Sequence, residues 1–308
     1  NNIFFTGIKA DGTSSTGEID NNEIVGNTTS NIVYGLFANS GTFSWHDNEI
    51  RDFVCTGSSN RHGIYVYNYN HEIYDNHIYS INAQSHVSGI FLSSYADDVN
   101  IYGNEIHDIK NTGAAGSGYI ASGIEVNGAN ITVANNVIYD LSSTGDVAPM
   151  IRGIRVTGGT NVNILYNTVY MKGGNTNTNF GSTALYLNSG IINLDIRNNI
   201  FIDLSTPGSA STGRATAIWK YYSGFANFAP TCDRNIYYAG TPGPKNLICY
   251  DNGTSYETLG DYKAATGSFD LGSFTENVPF ISTVEPYNLH IPIGASTIAE
   301  SNALPIPG

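Results

Sequence analysis

The chain has 308 residues, of which 13% are charged and 12% aromatic, with 37 asparagines, 34 glycines and a formal net charge of −13. The acidic balance excludes the basic footprint that nucleic acid requires, and no apolar run reaches the ~20 residues of a membrane helix. Plentiful aromatic and β-branched residues with little charge argue against disorder, and the shortage of strong helix formers argues against long helices.

The chain opens on Asn1, Asn2, Ile3 and Phe4, without the basic and apolar stretches of a signal peptide. Its abrupt start and end read as a piece of something longer. From there one pattern recurs: an apolar residue, two spacers, Asn, any residue, an apolar residue. Its copies are Ile19/Asn22/Ile24, Trp45/Asn48/Ile50, Ile73/Asn76/Ile78 and Ile101/Asn104/Ile106. They continue as Val133/Asn136/Ile138, Ile164/Asn167/Val169, Ile196/Asn199/Phe201 and the weaker Cys232/Asn235/Tyr237. The steps between asparagines are 26, 28, 28, 32, 31, 32 and 36 residues.

Each later copy is preceded by a small residue that leads a short strand of period two. Gly35, Gly63, Gly89, Gly123 and Gly153 lead five of them, and Ala184 and Ala217 lead the last two. No single unit can bury its apolar face, so identical turns must stack at ~4.8 Å, each strand with a parallel neighbour above and below. Inward Ile, Val and Leu then form ladders. Asn22, Asn48, Asn76, Asn104, Asn136, Asn167, Asn199 and Asn235 are expected to stack at a bend, where each amide both donates and accepts. The small residue is expected at a tight corner. The result is an all-β, right-handed parallel β-helix of about 8–10 coils. Extra length gathers in residues 51–62, 80–88, 110–122, 142–152, 172–182 and 205–216, all on one edge, where repeat proteins commonly place binding surfaces.

Residues 1–240 read as coils. After Tyr238 the repeat fails in a Gly/Pro cluster, and residues 241–308 read as a capping segment of the same domain. In it, residues 256–262 suit a short helix, and Phe280 and Leu289 suit final strands. Cys55, Cys232 and Cys249 show no metal or redox spacing. Cys232 and Cys249 form a disulfide, or all three are small buried hydrophobes.

Residues 217–219 and 233–242 resemble the last coil, and residues 275–281 and 288–292 the closing strands, of parallel β-helix repeat proteins secreted by Bacteroidetes. The resemblance implies a domain of a long surface or type IX-secreted protein. The same fold carries pectate, alginate and chondroitin lyases and polygalacturonases, so fold alone leaves function open.

Alternation places one outward residue per coil on the small-residue strand: Phe37, Tyr65, Phe91, Glu125, Arg155, Tyr186 and Trp219. Tyr67 and Tyr221 lie two residues further on. Such a row either stacks on sugar rings or pairs between coils to stabilise the sheet. Glu125 and Arg155, with Arg152 and His62 near the same edge, are the candidates for a lyase acting on acidic polysaccharide; the alternative is a cross-strand ion pair. No paired carboxylates of an inverting hydrolase accompany them. Asp97 and Asp98 are the one adjacent acidic pair, hence the candidate calcium site, with a solvated turn as the alternative. The histidines show no metal spacing, and His77 and His107 read as solvated positions on different coils. Tyr79, Tyr139, Tyr170 and Tyr238 form a second aromatic stripe or are plain strand formers. The expectation is an extracellular or cell-surface module, without a required cofactor, that binds glycan or serves an adhesin; the alternative is a polysaccharide lyase or glycoside hydrolase.

Overall fold

The computed structural model describes residues 5–30, 33–114, 118–300 and 302–305. The opening residues Asn1 to Phe4 lie outside that range.

Three parallel sheets form the walls of a β-solenoid of about eight turns. The first sheet runs through Phe5–Ala10, Val33–Ala38, Arg61–Val66, Val87–Leu92, Ala121–Val126, Ile151–Val156, Ser182–Leu187, Ala215–Lys220 and Asn246–Asp251. The second begins at Thr16–Asp20 and ends at Ile191–Arg197. The third carries the strand after each ladder asparagine, from Glu23–Val25 to Ile236–Tyr238. Chain order is first, second, third in each turn until the last, where isolated bridges at Phe228 and Asp233 replace the second-sheet strand, and register is kept: Leu36, Ile64, Ile90, Ile124, Ile154, Leu185, Ile218 and Cys249 stand in one fully buried column.

The asparagines stack at the bend between the second and third sheets. Asn48 Nδ2 donates to Asn76 Oδ1 at 2.9 Å, Asn76 to Asn104 at 2.9 Å, and Asn104 to Asn136 at 2.9 Å. The run extends from Asn22 to Asn235. Each Oδ1 also accepts the backbone N–H of the asparagine one coil earlier, as Asn104 does from Asn76 at 3.0 Å. Every buried donor at the bend is thereby paired. The residue before each asparagine takes positive φ, from Asn21 at 54° to Arg234 at 62°. A left-handed residue turns the chain sharply enough to aim the amide inward.

The small residue does not sit at a corner. Gly35 is the third of six residues in its strand, and it interrupts the alternation: Gly35 and Leu36 are both buried. A Cβ there would lie 2.5 Å from Ile50 Cγ2 on the third sheet and 2.6 Å from the Gly63 carbonyl oxygen. Close approach of two walls, not a turn, demands glycine.

The disulfide is not formed; all three cysteines are free and buried. Cys249 is a rung of the inner column, and the Cys232 thiol donates to the Leu194 carbonyl at 3.2 Å. Both are spent on packing.

At the C-terminal end, Thr254–Tyr256 adds an antiparallel strand to the first sheet. Helix α1 (Leu259–Thr266) follows, opened by a capping box between Thr258 and Asp261. The fully buried Tyr262 closes the core against Phe225 and Tyr237. Residues 274–299 lie along the outer face of the third sheet, where Val278, Phe280, Tyr287 and Leu289 cover Tyr139, Tyr170, Ile202 and Ile236. Phe280 and Leu289 do not form strands: a single antiparallel bridge joins Ser282 and Asn288. Phe274 adds one parallel bridge to Ile236 at the end of the third sheet, and beyond it the segment packs on side chains, because the sheet's backbone groups are consumed by coil-to-coil pairing.

Candidate functional site

The outward row of the first sheet is in register. Phe37, Tyr65, Phe91, Glu125, Arg155, Tyr186 and Trp219 are successive partners across seven strands. A second outward row, Tyr34, His62, Ser88, Ser122, Arg152 and Thr183, runs beside it. The long connections, 112–120, 144–150, 172–181 and 204–214, all join the third sheet to the first, so they rise beside this second row; residues 115–117 of the first of them lie outside the described range.

The face divides into three zones. In the first three coils the rings are half-buried and stacked: Phe37 to Tyr65 at 5.2 Å and Tyr65 to Phe91 at 5.2 Å, the latter pair within 5° of parallel. Tyr34 packs 4.8 Å from Tyr65, and His62 stacks 4.5 Å from Phe91. Beside them Tyr67 is 41% and Tyr95 63% exposed, with ring centroids 5.3 Å apart. Tyr95 has no counterpart in the repeat, so periodicity did not find it.

The central zone is polar. Arg155 pairs with Glu125 at 2.7 Å. The Arg152 guanidinium lies 3.8 Å over the Tyr186 ring, and its Nε donates to the Pro149 carbonyl at 3.2 Å. Burial, with Arg155 alongside, brings Arg152 down to about 10. His62 Nδ1 meets Ser88 Oγ at 2.6 Å. Burial, then the charges of His86 and Arg61, pushes His62 down to about 3, so it is neutral near pH 7. The buried Ser122 Oγ has no hydrogen-bond partner among the described residues.

The last zone is covered. Tyr186 and Trp219 are each 6% exposed. Arg152 lies on Tyr186, while Arg214, from the 204–214 connection, lies 5.8 Å over Trp219 and 4.3 Å over Tyr250. Alternation correctly turned both rings outward; a neighbouring strand side chain, Arg152, and a connection side chain, Arg214, then closed over them. Tyr221 is 61% exposed and stands apart from the stacked rings.

Asp97 and Asp98 are turn residues. Asp97 Oδ1 accepts the Ala129 N–H at 2.6 Å, and Asp98, at φ 56°, accepts from Asn130 Nδ2 at 2.9 Å. Asp98 starts a second ladder that continues through Asn130, Asn161 and Asn193. Neither aspartate belongs to a convergent ligand group among the described residues.

His77 and His107 are half-exposed, and they are also in contact. Coil stacking brings their Nε2 atoms to 2.9 Å, beside Glu105. Their 30-residue separation carries no local metal spacing, which is why the sequence did not show it.

Comparison with protein families, curated proteins and solved structures gives no match.

Proposed function

We propose that the chain is a non-catalytic, extracellular glycan-binding module, as suits a surface or adhesin protein of the secreted Bacteroidetes β-helix type. The observation that carries this reading is the stacked, half-open series Phe37, Tyr65 and Phe91 with the exposed Tyr67 and Tyr95 beside it. Flat apolar ring faces suit sugar C–H groups, and phenolic hydroxyls suit sugar hydroxyls. The polar centre favours support over chemistry, since Arg155, Arg152 and His62 are each engaged by a protein partner. Binding is tested on a glycan array followed by calorimetry. Tyr65→Ala with Tyr67→Ala should weaken the captured glycan about tenfold or more, each ring contact being worth about 1 kcal/mol. Tyr221→Ala should leave it unchanged. Undiminished binding by the double variant would reject this face.

A lyase is the second reading, favoured by Arg155, Glu125, His62 and the unpartnered Ser122 Oγ on one patch. Incubation with alginate, pectate and chondroitin, followed at the unsaturated-uronate absorbance, decides it. Turnover abolished by Arg155→Ala would replace the binding-module reading.

A further inference from the structure

We infer that His77, Glu105 and His107 form a binding site for a divalent transition metal of the zinc class, on the third sheet and separate from the aromatic face. His77 and Glu105 are register partners on adjacent coils, and His107 lies two residues beyond Glu105 on the same face. The two Nε2 atoms are 2.9 Å apart, and a Glu105 carboxylate oxygen lies within 4.8 Å of both. Zinc–nitrogen bonds of about 2.0–2.1 Å in a tetrahedron place two ligand nitrogens about 3.3 Å apart. The observed pair needs only a small opening to admit an ion. Two imidazoles and one carboxylate, with a further position left open, are a donor set suited to zinc, not to calcium.

The ligands are held from behind. The His77 ring lies 4.4 Å from that of Tyr79. His107 is sandwiched between Tyr79 at 5.1 Å and Tyr139 at 4.7 Å, within 7° and 5° of parallel. The Tyr139 hydroxyl donates to Glu105 Oε1 at 2.7 Å, the kind of outer contact that orients a ligating carboxylate. One coil earlier, Glu49 is taken by Arg51 and by the Tyr79 hydroxyl. Glu105 forms no ion pair among the described residues, so its charge remains available to an ion. Glu105 is exposed, so an ion reaches its carboxylate directly, and a cleft of about 500 Å³ bordered by Glu105, Tyr139, Thr168, Tyr287 and His290 lies beside it.

The other grouping, Glu18, Asp20 and His46, is a surface cluster with a single imidazole, and it serves as the control. The competing account of His77 and His107 is a plain imidazole–imidazole hydrogen bond, which needs no ion. The intact chain, stripped with chelator, is titrated with Zn²⁺ by calorimetry and with Co²⁺ by visible absorption. One equivalent should bind, with the intense visible bands of tetrahedral cobalt. His77→Gln and His107→Gln should each weaken zinc about 100-fold, and Tyr139→Phe about tenfold through Glu105. His46→Gln should change nothing. Thermal melting checks that each variant is folded. Should His107→Gln unfold, the exposed Glu105→Gln carries the test, with an expected loss of about tenfold or more. Absence of saturable zinc binding by the wild-type chain, or binding indifferent to His77→Gln and Glu105→Gln, overturns the site.

Discussion

His71 shows how one side chain fixes its own protonation state. The backbone N–H of Phe43 and the Trp45 indole N–H lie 3.2 and 3.3 Å from Nδ1, while Nε2 lies 3.1 Å from Asn68 Oδ1. Two donors converge on Nδ1 against one carbonyl, that of Phe43 at 3.3 Å, and Nε2 faces an acceptor, so the neutral Nε2–H form satisfies most of these contacts. Burial holds His71 down to about 4, and burial likewise holds His86 to about 4 and His62 to about 3. In the unfolded chain a histidine titrates near ~6.5. Between that value and the folded ones the unfolded state binds more protons, so stability is lost as pH falls through the window. Asp203 acts oppositely. Burial raises it to about 6 against hydrogen bonds from Ser182, Ser205 and Thr216, so its contribution is present at low pH and lost as pH rises through that value. Burial raises Asp140 and Asp270 as well, and they act with Asp203; the histidines are still the larger group, since burial also holds His107 to about 4, so the melting temperature should fall from about pH 7 to about pH 4, and more steeply in Asp203→Asn. A melting series flat over that range would show that these imidazoles are not buried neutral.

At the element scale, the approach of the first and third sheets sets the residue pairs between them. Ideal Cβ atoms on Gly35, Gly63, Gly89 and Gly123 each meet an isoleucine Cγ2 at 2.5–2.6 Å. On Gly153 the clash is with Val169 Cγ1 at 2.2 Å. The two coils that carry alanine, Ala184 and Ala217, are those whose third-sheet residue, Phe201 or Tyr237, has no methyl on Cβ. Gly63→Ala should cost about 1–3 kcal/mol through overpacking. Ile78→Leu, which removes the β-methyl, should recover part of that cost in a double-mutant cycle read by denaturant midpoints; strict additivity would remove the β-methyl as the cause. The asparagine bend is the other inter-coil element. Asn104→Ala should cost at least about 3 kcal/mol, since each orphaned buried partner costs about 1–3 kcal/mol. A midpoint shift typical of a surface substitution would contradict that.

Across the whole molecule the ladder has a direction. Every Nδ2 donates toward the next coil, and the last amide, Asn235, has no further asparagine to receive its bond. The cap supplies an anion: Asp270 Oδ1 accepts from Asn235 Nδ2 at 2.9 Å, and Oδ2 accepts the Tyr237 and Tyr262 hydroxyls at 3.0 and 2.8 Å. Burial raises the Asp270 carboxyl, and these donors, with Ser273, oppose that rise. A carboxylate at the donor end of aligned amides is favourable for the reason that anions favour a helix N-terminus. Asp270→Ala removes the acceptor that four buried donors share, from Asn235, Tyr237, Tyr262 and Ser273, and it should release the last coil first. Hydrogen exchange should quicken at residues 236–238 and in helix α1 before the central coils. Uniform loss of protection across all coils would instead mark Asp270 as one support among many.

The asparagine column, the inward aliphatic columns and the outward ring row were legible in the sequence. Each is a property of one short segment repeated at near-constant spacing, and stacking preserves it from coil to coil. Three things were decided only by tertiary structure. Arg214 covers Trp219 from a connection that obeys no period, and Arg152 folds over Tyr186 from the neighbouring strand. Residues 274–299 lie along the third sheet and not across the end, because the outward-facing Tyr139, Tyr170 and Ile202 offer an apolar wall that this segment buries. His77 meets His107 because two rings from separate coils lean toward each other between tyrosines. Periodicity specifies which wall a residue occupies; the contacts that confer chemistry depend on side-chain directions and irregular loops that no repeat encodes.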